Sequence, residues 1–175
     1  MAAVLGLSAE KVAEVCDEAS QESGQVVQVA NDNCPGQTVI SGYKAALELA
    51  VEKARAAQAR KVVVLPISIA SHSPLMDVIV DEFAAVVDAA PITDAAIPLV
   101  ANVSAAPITS ADDIRAELKA QLTSAVRWTD SMRYLSSQGI TQVVEVGPKK
   151  VLVSLMKRIE RKIKRVSVGD AALDV

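Results

Sequence analysis

His72 is the only histidine among the 175 residues. It stands in Ser68-Ile69-Ala70-Ser71-His72-Ser73-Pro74-Leu75-Met76, directly after the apolar run Val62-Val63-Val64-Leu65-Pro66-Ile67. Histidine is the side chain type that exchanges a proton near neutral pH, so one placed where a buried strand gives way to a loop can act as a general base. A base needs a nucleophile to activate. No Gly-x-Ser-x-Gly elbow, the strongly bent turn that exposes a reactive serine, occurs anywhere in the sequence. Ser73 adjoins the histidine but has no such elbow around it. The residues read as half of an active site, a base without its partner.

Composition narrows the setting. At this length one medium domain or two small subdomains can bury a core without metal or disulfides, and 51% of the residues are hydrophobic. A net charge of −3, with one Phe, one Trp and two Tyr, argues against nucleic acid, which wants basic surfaces and stacking rings. Cys16 and Cys34 lack CxxC spacing and read as two buried thiols on a helix and a strand end, not as a disulfide or metal site. The N-terminus has no basic leader, and no stretch approaches the roughly 20 apolar residues of a membrane helix. A soluble, cytoplasmic protein is the expectation.

The elements around the histidine follow from local pattern. Residues 1–7 form a short apolar strand closed by Ser8, a helix N-cap. Val12, Val15, Cys16 and Ala19 recur at helical spacing before Gly24. Val26 to Ala30 is a second strand, Asn31-Asp32-Asn33-Cys34-Pro35-Gly36 is turn chemistry suited to a wide hairpin loop, and Thr38 to Gly42 is a third strand. A helix over 44–58 and a strand over 61–66 complete the order βαββαβ, the ferredoxin-like split motif, within residues 1–68. Its strands lack the aromatic residues that an RNA-binding version presents.

From Pro74 the pattern changes, and residues 69–175 form a second region. Leu75, Ile79, Phe83 and Val86 predict one amphipathic helix, and 97–103 a strand running into a loop. Ser110 caps a helix whose apolar face is Ile114, Leu118, Leu122 and Val126, and another helix starts at Thr129. A strand over 141–146 leads through Gly147-Pro148 into a helix over 151–161. Alternating helices and strands predict α/β layering with parallel pairing, but two or three strands are too few for a sheet of their own. An unpaired edge is expected there. Arg127-Trp128 reads as a core anchor with a carboxylate clamp as the alternative. Gly147-Pro148-Lys149-Lys150 reads as a plain strand-to-helix turn, with phosphate binding as the alternative. Lys157, Arg158, Arg161, Lys162, Lys164 and Arg165 read as a solvated basic face.

Four motifs in register, Asn33-Cys34-Pro35-Gly36-Gln37, Ser71-His72-Ser73-Pro74-Leu75-Met76, Val126-Arg127-Trp128-Thr129 and Glu145-Val146-Gly147-Pro148, run through nearly the whole chain. In this order they resemble the C-terminal part of malonyl-CoA:acyl-carrier-protein transacylases and the related acyltransferase domains of polyketide synthases. The resemblance implies an α/β fold: a ferredoxin-like βαββαβ subdomain (1–68) plus the C-terminal part of an α/β-hydrolase-like core (69–175). It implies that His72 deprotonates an elbow serine and later a phosphopantetheine thiol, and that the main-chain carbonyl of Gln121 orients His72. Asn33 is a turn residue on its own pattern; the resemblance offers a substrate-binding place near the acyl or pantetheine channel. The implied partners are acyl carrier protein, malonyl-CoA and a missing N-terminal half of the same fold. Coenzyme A thioester and phosphopantetheine enter as substrates, with no separate cofactor and no metal.

The serine, the arginine that holds the malonyl carboxylate and an oxyanion-hole glutamine all fall before Met1 in such proteins. Without them neither the acyl intermediate nor the bidentate carboxylate contact can form, so the chain alone is expected to be inactive. Two functions follow. One is the C-terminal portion of an acyltransferase that moves malonyl from coenzyme A to acyl carrier protein in fatty acid or polyketide synthesis, by a ping-pong Ser/His mechanism. The alternative is a catalytically silent module that keeps the fold to bind a partner or carrier protein. For the basic run the alternative to a solvated face is docking of an acidic carrier protein or the phosphates of coenzyme A, and the resemblance implies that Ile69-Ala70-Ser71-His72 bears on malonyl against methylmalonyl.

Overall fold

The computed structural model describes residues 1–169; positions 170–175 of the second expected region lie outside the described residues. The first six elements follow the order read from the sequence: β1 (Ala2–Leu5), α1 (Ala9–Ser23), β2 (Val27–Cys34), β3 (Gln37–Gly42), α2 (Lys44–Ala56) and β4 (Lys61–Val64). The four strands form one sheet in the order β2-β3-β1-β4, with every neighbouring pair antiparallel. Ser8 caps α1 by accepting the Lys11 N–H at 3.2 Å, and Gly24 ends it at φ 65°. Alternation on β1 buries Ala2 and Val4 against Val12, Val15, Cys16 and Ala19 of α1, Ile40 of β3, and Ala46, Leu47, Ala50, Val51 and Ala54 of α2. Removing one such Val or Ile side chain from water contributes roughly 1.5–3 kcal/mol. The small residues of α2 let the helix approach closely. At Gly42 the need is stricter, because a Cβ there would lie 2.3 Å from the Val26 carbonyl oxygen.

One turn differs from expectation. Asn31, Asp32 and Asn33 are not loop: β2 runs on to Cys34 and β3 starts at Gln37, leaving a two-residue connection of Pro35 and Gly36. Pro35 restricts its own φ, Gly36 takes φ 72°, and two register shifts in β2 absorb the polar residues. Asn33 is therefore a strand residue. Strand pairing outweighs the turn preference of its type.

The second region holds α3 (Val80–Ala89), β5 (Leu99–Val100), β6 (Pro107–Ile108), α4 (Ala111–Ala120), α5 (Trp128–Ser137), β7 (Gln142–Val146), α6 (Val151–Ile159) and β8 (Lys164–Val168). The single helix expected from Pro74 is two pieces, a 3₁₀ segment Pro74–Ile79 and then α3. Parallel pairing holds for β7 with β8 around α6, but β5 and β6 form a small antiparallel hairpin. Among its described residues the region thus carries four short strands in two separate two-stranded sheets. A small core of Met132, Met156 and Ile163 is packed by Trp128, Leu135, Val143 and Ile159.

The two regions meet along the outer edge of β2. The Val126 N–H donates to Ala30 O and the Asp32 N–H donates to Val126 O, each at 2.9 Å. The Thr129 hydroxyl donates to Asp32 O at 3.2 Å. Arg158, on the run read as a solvated face, instead grips the β2–β3 turn, donating to Pro35 O at 2.8 Å and Gln37 Oε1 at 2.7 Å.

Burial is uneven. The strand over 61–66 that the sequence predicts as buried stops at Val64 and is an edge strand, with Val64 60% exposed. Val86, Val144, Val146, Val151 and Leu152 are exposed as well. Open strand edges beside apolar side chains template association. Among the described residues, no helix is long and apolar enough to cross a membrane. The isolated chain is expected to self-associate with rising concentration in sedimentation experiments and to bind an apolar-surface dye. A monodisperse, cooperatively melting monomer that leaves the dye unbound would contradict the open faces.

Candidate functional site

His72 lies in the loop between β4 and the 3₁₀ segment, with its backbone in the left-handed region at φ 57°. For a residue with a Cβ this conformation costs about 1–3 kcal/mol and persists only where surroundings hold it. Two polar contacts do so. The imidazole Nδ1 lies 2.6 Å from the Gln121 carbonyl oxygen. A carbonyl only accepts, so Nδ1 carries the hydrogen, and in the neutral ring Nε2 presents its lone pair. Among the described residues no group hydrogen-bonds Nε2. The side-chain amide of Gln28, on β2, donates to His72 O at 3.0 Å and to Thr123 O at 3.3 Å.

Gln121 is the C-cap of α4, where the last carbonyls of a helix lack intrahelical partners and are free to accept. The end of α4 is locked in turn. Glu117 Oε1 accepts from the Asn102 N–H at 2.7 Å and the Val103 N–H at 3.2 Å, and the Asn102 side chain donates to Gln121 Oε1 at 3.2 Å. At the other end, Ser110 accepts from the Asp113 N–H as its cap. The carbonyl that meets His72 is thus fixed by a whole helix and the loop before β6.

The imidazole borders an open cleft of about 260 Å³ whose walls are Ile69, Met76, Phe83, Leu118 and Leu122. Such a cleft offers apolar contact to a carbon chain. A larger cleft of about 360 Å³, between α5, β7 and α6, shares no lining residue with it. That one is the uncovered face of the small second core.

Other residues singled out from the sequence are already engaged. Ser73 is buried and donates its hydroxyl to Ala70 O at 2.6 Å, facing its own turn. Arg127 is paired with Asp130 at 2.8 Å on the surface, and Trp128 packs on the second core. Cys16 and Cys34 are both buried free thiols, and burial pushes Cys16 up to about 12. Asn33 makes no side-chain hydrogen bond to the His72 cluster among the described residues. Sequence reasoning missed Gln28. A polar residue on a strand otherwise signals only the solvent face, so nothing local distinguishes it.

No family model matches the chain. Among known proteins it is 42% identical over 170 residues to malonyl CoA-acyl carrier protein transacylase of Bacillus subtilis, across 97% of this chain and 53% of that protein. Its counterpart in Staphylococcus aureus is 40% identical over 168 residues, across 96% and 54%. Among solved structures, an acyl carrier protein S-malonyltransferase from Vibrio cholerae superimposes with a TM-score of 0.93 at 38% identity, covering 99% of this chain and 56% of that one. A malonyl-transacylase solved in complex with a type II PKS acyl-carrier protein gives 0.92 at 36% identity, covering 98% and 55%. The chain spans about half the length of the curated relatives it matches.

The turn at Gly147-Pro148 is closed to phosphate by its own neighbour. The Glu145 carboxylate accepts from the N–H groups of Val153 at 2.9 Å and Leu152 at 3.0 Å, occupying the start of α6. The bond from Val153 leads in holding the Glu145 carboxyl below its usual value, with those from Leu152 and Val151 behind it. A carboxyl lowered on folding stabilises fully above its unfolded value, and that contribution is lost as pH falls through the folded one. Glu145→Ala is therefore expected to lower Tm at neutral pH, with the gap to the parent closing as the solution is taken below the carboxylate range. A gap independent of pH would show that the cap acts without its charge.

Proposed function

We propose, from the homology of this chain along its whole length to malonyl CoA-acyl carrier protein transacylases, that it is the C-terminal portion of such an acyltransferase. It supplies the base and the small subdomain to a malonyl transfer in fatty acid or polyketide synthesis, in the cytoplasm. Residues 1–68 are read as the ferredoxin-like subdomain and 69–175 as part of an α/β-hydrolase-like core. The nucleophilic serine and the arginine for the malonyl carboxylate come from the other half of the fold.

The observation that carries the reading is the 2.6 Å contact between His72 Nδ1 and the Gln121 carbonyl. It leaves Nε2 as the acceptor, held by a group that cannot itself take up the proton. In the first step Nε2 removes the serine proton as the serine oxygen attacks the malonyl thioester carbon; coenzyme A leaves as its thiol, taking that proton. In the second, Nε2 removes the proton of the phosphopantetheine thiol as its sulfur attacks the malonyl-serine ester, and the serine oxygen leaves with the proton. Both half-reactions use the same nitrogen, which accords with ping-pong exchange. Coenzyme A thioester and carrier phosphopantetheine are substrates, and neither step calls for a further cofactor. Partnership with acyl carrier protein draws support from the complex in which a similar transacylase was solved.

The test is malonyl transfer from coenzyme A to holo acyl carrier protein, with this chain mixed with a separately made N-terminal half bearing the serine elbow. Transfer is expected only when both are present, and His72→Ala is expected to cost about 10²–10⁴-fold in kcat, the usual worth of a positioned base. An assembled pair with no transfer would favour the silent binding module. In the same assay Asn33→Ala is expected to raise KM for one of the two thiol substrates with little change in kcat; unchanged constants would remove Asn33 from the substrate channel.

A further inference from the structure

Gln28 stands on β2 opposite Ser41, a strand that contributes none of the reacting groups named above. Its amide nitrogen nevertheless lies 3.0 Å from His72 O and 3.3 Å from Thr123 O. Both neighbours are carbonyls, so the NH₂ end and not the oxygen must face them, and each of its two hydrogens has one acceptor. One acceptor belongs to the histidine itself. The other lies two residues beyond Gln121, whose carbonyl takes the imidazole hydrogen.

We propose that Gln28 is a positioning residue for His72: its primary amide clamps the histidine loop to the turn after α4 and so fixes the imidazole in the tautomer with the Nε2 lone pair free. The reasoning is geometric. Two attachments hold His72, its carbonyl through Gln28 and its ring through Gln121. The first is the one that restrains the left-handed backbone, since an anchored carbonyl fixes the peptide plane that follows the residue. By bonding Thr123 as well, the same amide sets the spacing between the two loops that the ring must bridge. β2 is a firm base for such a clamp, being paired with β3 on one side and with Val126 on the other. A ring held only by Gln121 could exchange its Nδ1 hydrogen bond for water and present Nε2–H instead.

The test uses the fact that this chain has one histidine, so its ring nitrogens give a single unambiguous pair of NMR signals. In the parent chain the ¹⁵N shifts are expected to report Nδ1 protonated and Nε2 bare when the ring is neutral. Gln28→Glu keeps the shape but replaces both donors with acceptors, and Gln28→Ala removes them. Each is expected to move the ring nitrogens toward the averaged positions of a free imidazole, with backbone amide spectra otherwise preserved. Ring signals that stay at the parent positions in both variants, or loss of the whole fold in both, would overturn the proposal.

The kinetic counterpart rests on the reading of His72 as base. With the serine-bearing half, Gln28→Glu is expected to lower kcat about 10²-fold, the scale of loss for a reacting group displaced by an ångström, at unchanged KM for malonyl-CoA. Tautomer loss in the variants beside a parent pair that transfers nothing would retain the clamp and reject the transferase reading. A parent pair that transfers, with variants of unchanged kcat, would do the reverse.

Discussion

Everything around His72 depends on two main-chain hydrogen bonds at Val126, which close the outer edge of β2. A strand edge must find partners for its N–H and carbonyl groups, and here a single residue of the second region supplies them. That bridge lays the segment after α4 along β2, within reach of Gln28. The Gln28 amide then meets Thr123 on that segment and the carbonyl of His72, and the imidazole meets Gln121. Thr129 adds a side-chain staple to Asp32 of the same strand, and Arg158 one to the β2–β3 turn beyond it. The site is thus a product of docking between two regions that are far apart in sequence.

The two regions differ in how well they satisfy themselves. The β2-β3-β1-β4 sheet with α1 and α2 buries a continuous core from β1, β3 and both helices. Among the described residues the remainder gathers only Met132, Met156 and Ile163 into a buried cluster, and turns valines on α3, β7 and α6 outward. Apolar side chains left on open faces beside unpaired strand edges mark surfaces that associate. The chain spans about half the length of the relatives it matches. The small body serves as foundation, and the loop and helix ends that carry His72 and Gln121 lean on it.

The elements legible in the sequence are those whose signals are local. Ser8, Gly24 and Ser110 mark helix ends because their side chains or their conformational freedom settle unpaired backbone groups within four residues. The alternation in β1 and the helical spacing of Val12, Val15, Cys16 and Ala19 follow from burying one face, so the order βαββαβ needs no long-range knowledge. His72 was legible as a candidate because it is the lone side chain of its kind. The motif resemblance supplied Gln121, which no pattern around that residue would have singled out.

Tertiary contacts decided the rest. Asn31, Asp32 and Asn33 favour a turn by type, but antiparallel pairing with β3 on one side and Val126 on the other holds them extended. The stretch from Pro74 has helical spacing throughout, yet it tightens to a 3₁₀ segment before α3, a change that hydrophobic period does not register. The run at 62–67 looks buried because it is apolar, whereas burial depends on which strand ends a sheet. Gln28 carries no signal at all, since a glutamine on a half-buried strand is equally suited to solvent. Sequence by itself determined where backbone groups are satisfied by near neighbours and which face is apolar. The structure decided which distant carbonyls a side chain meets, because such pairings depend on how separate elements dock and not on any local preference.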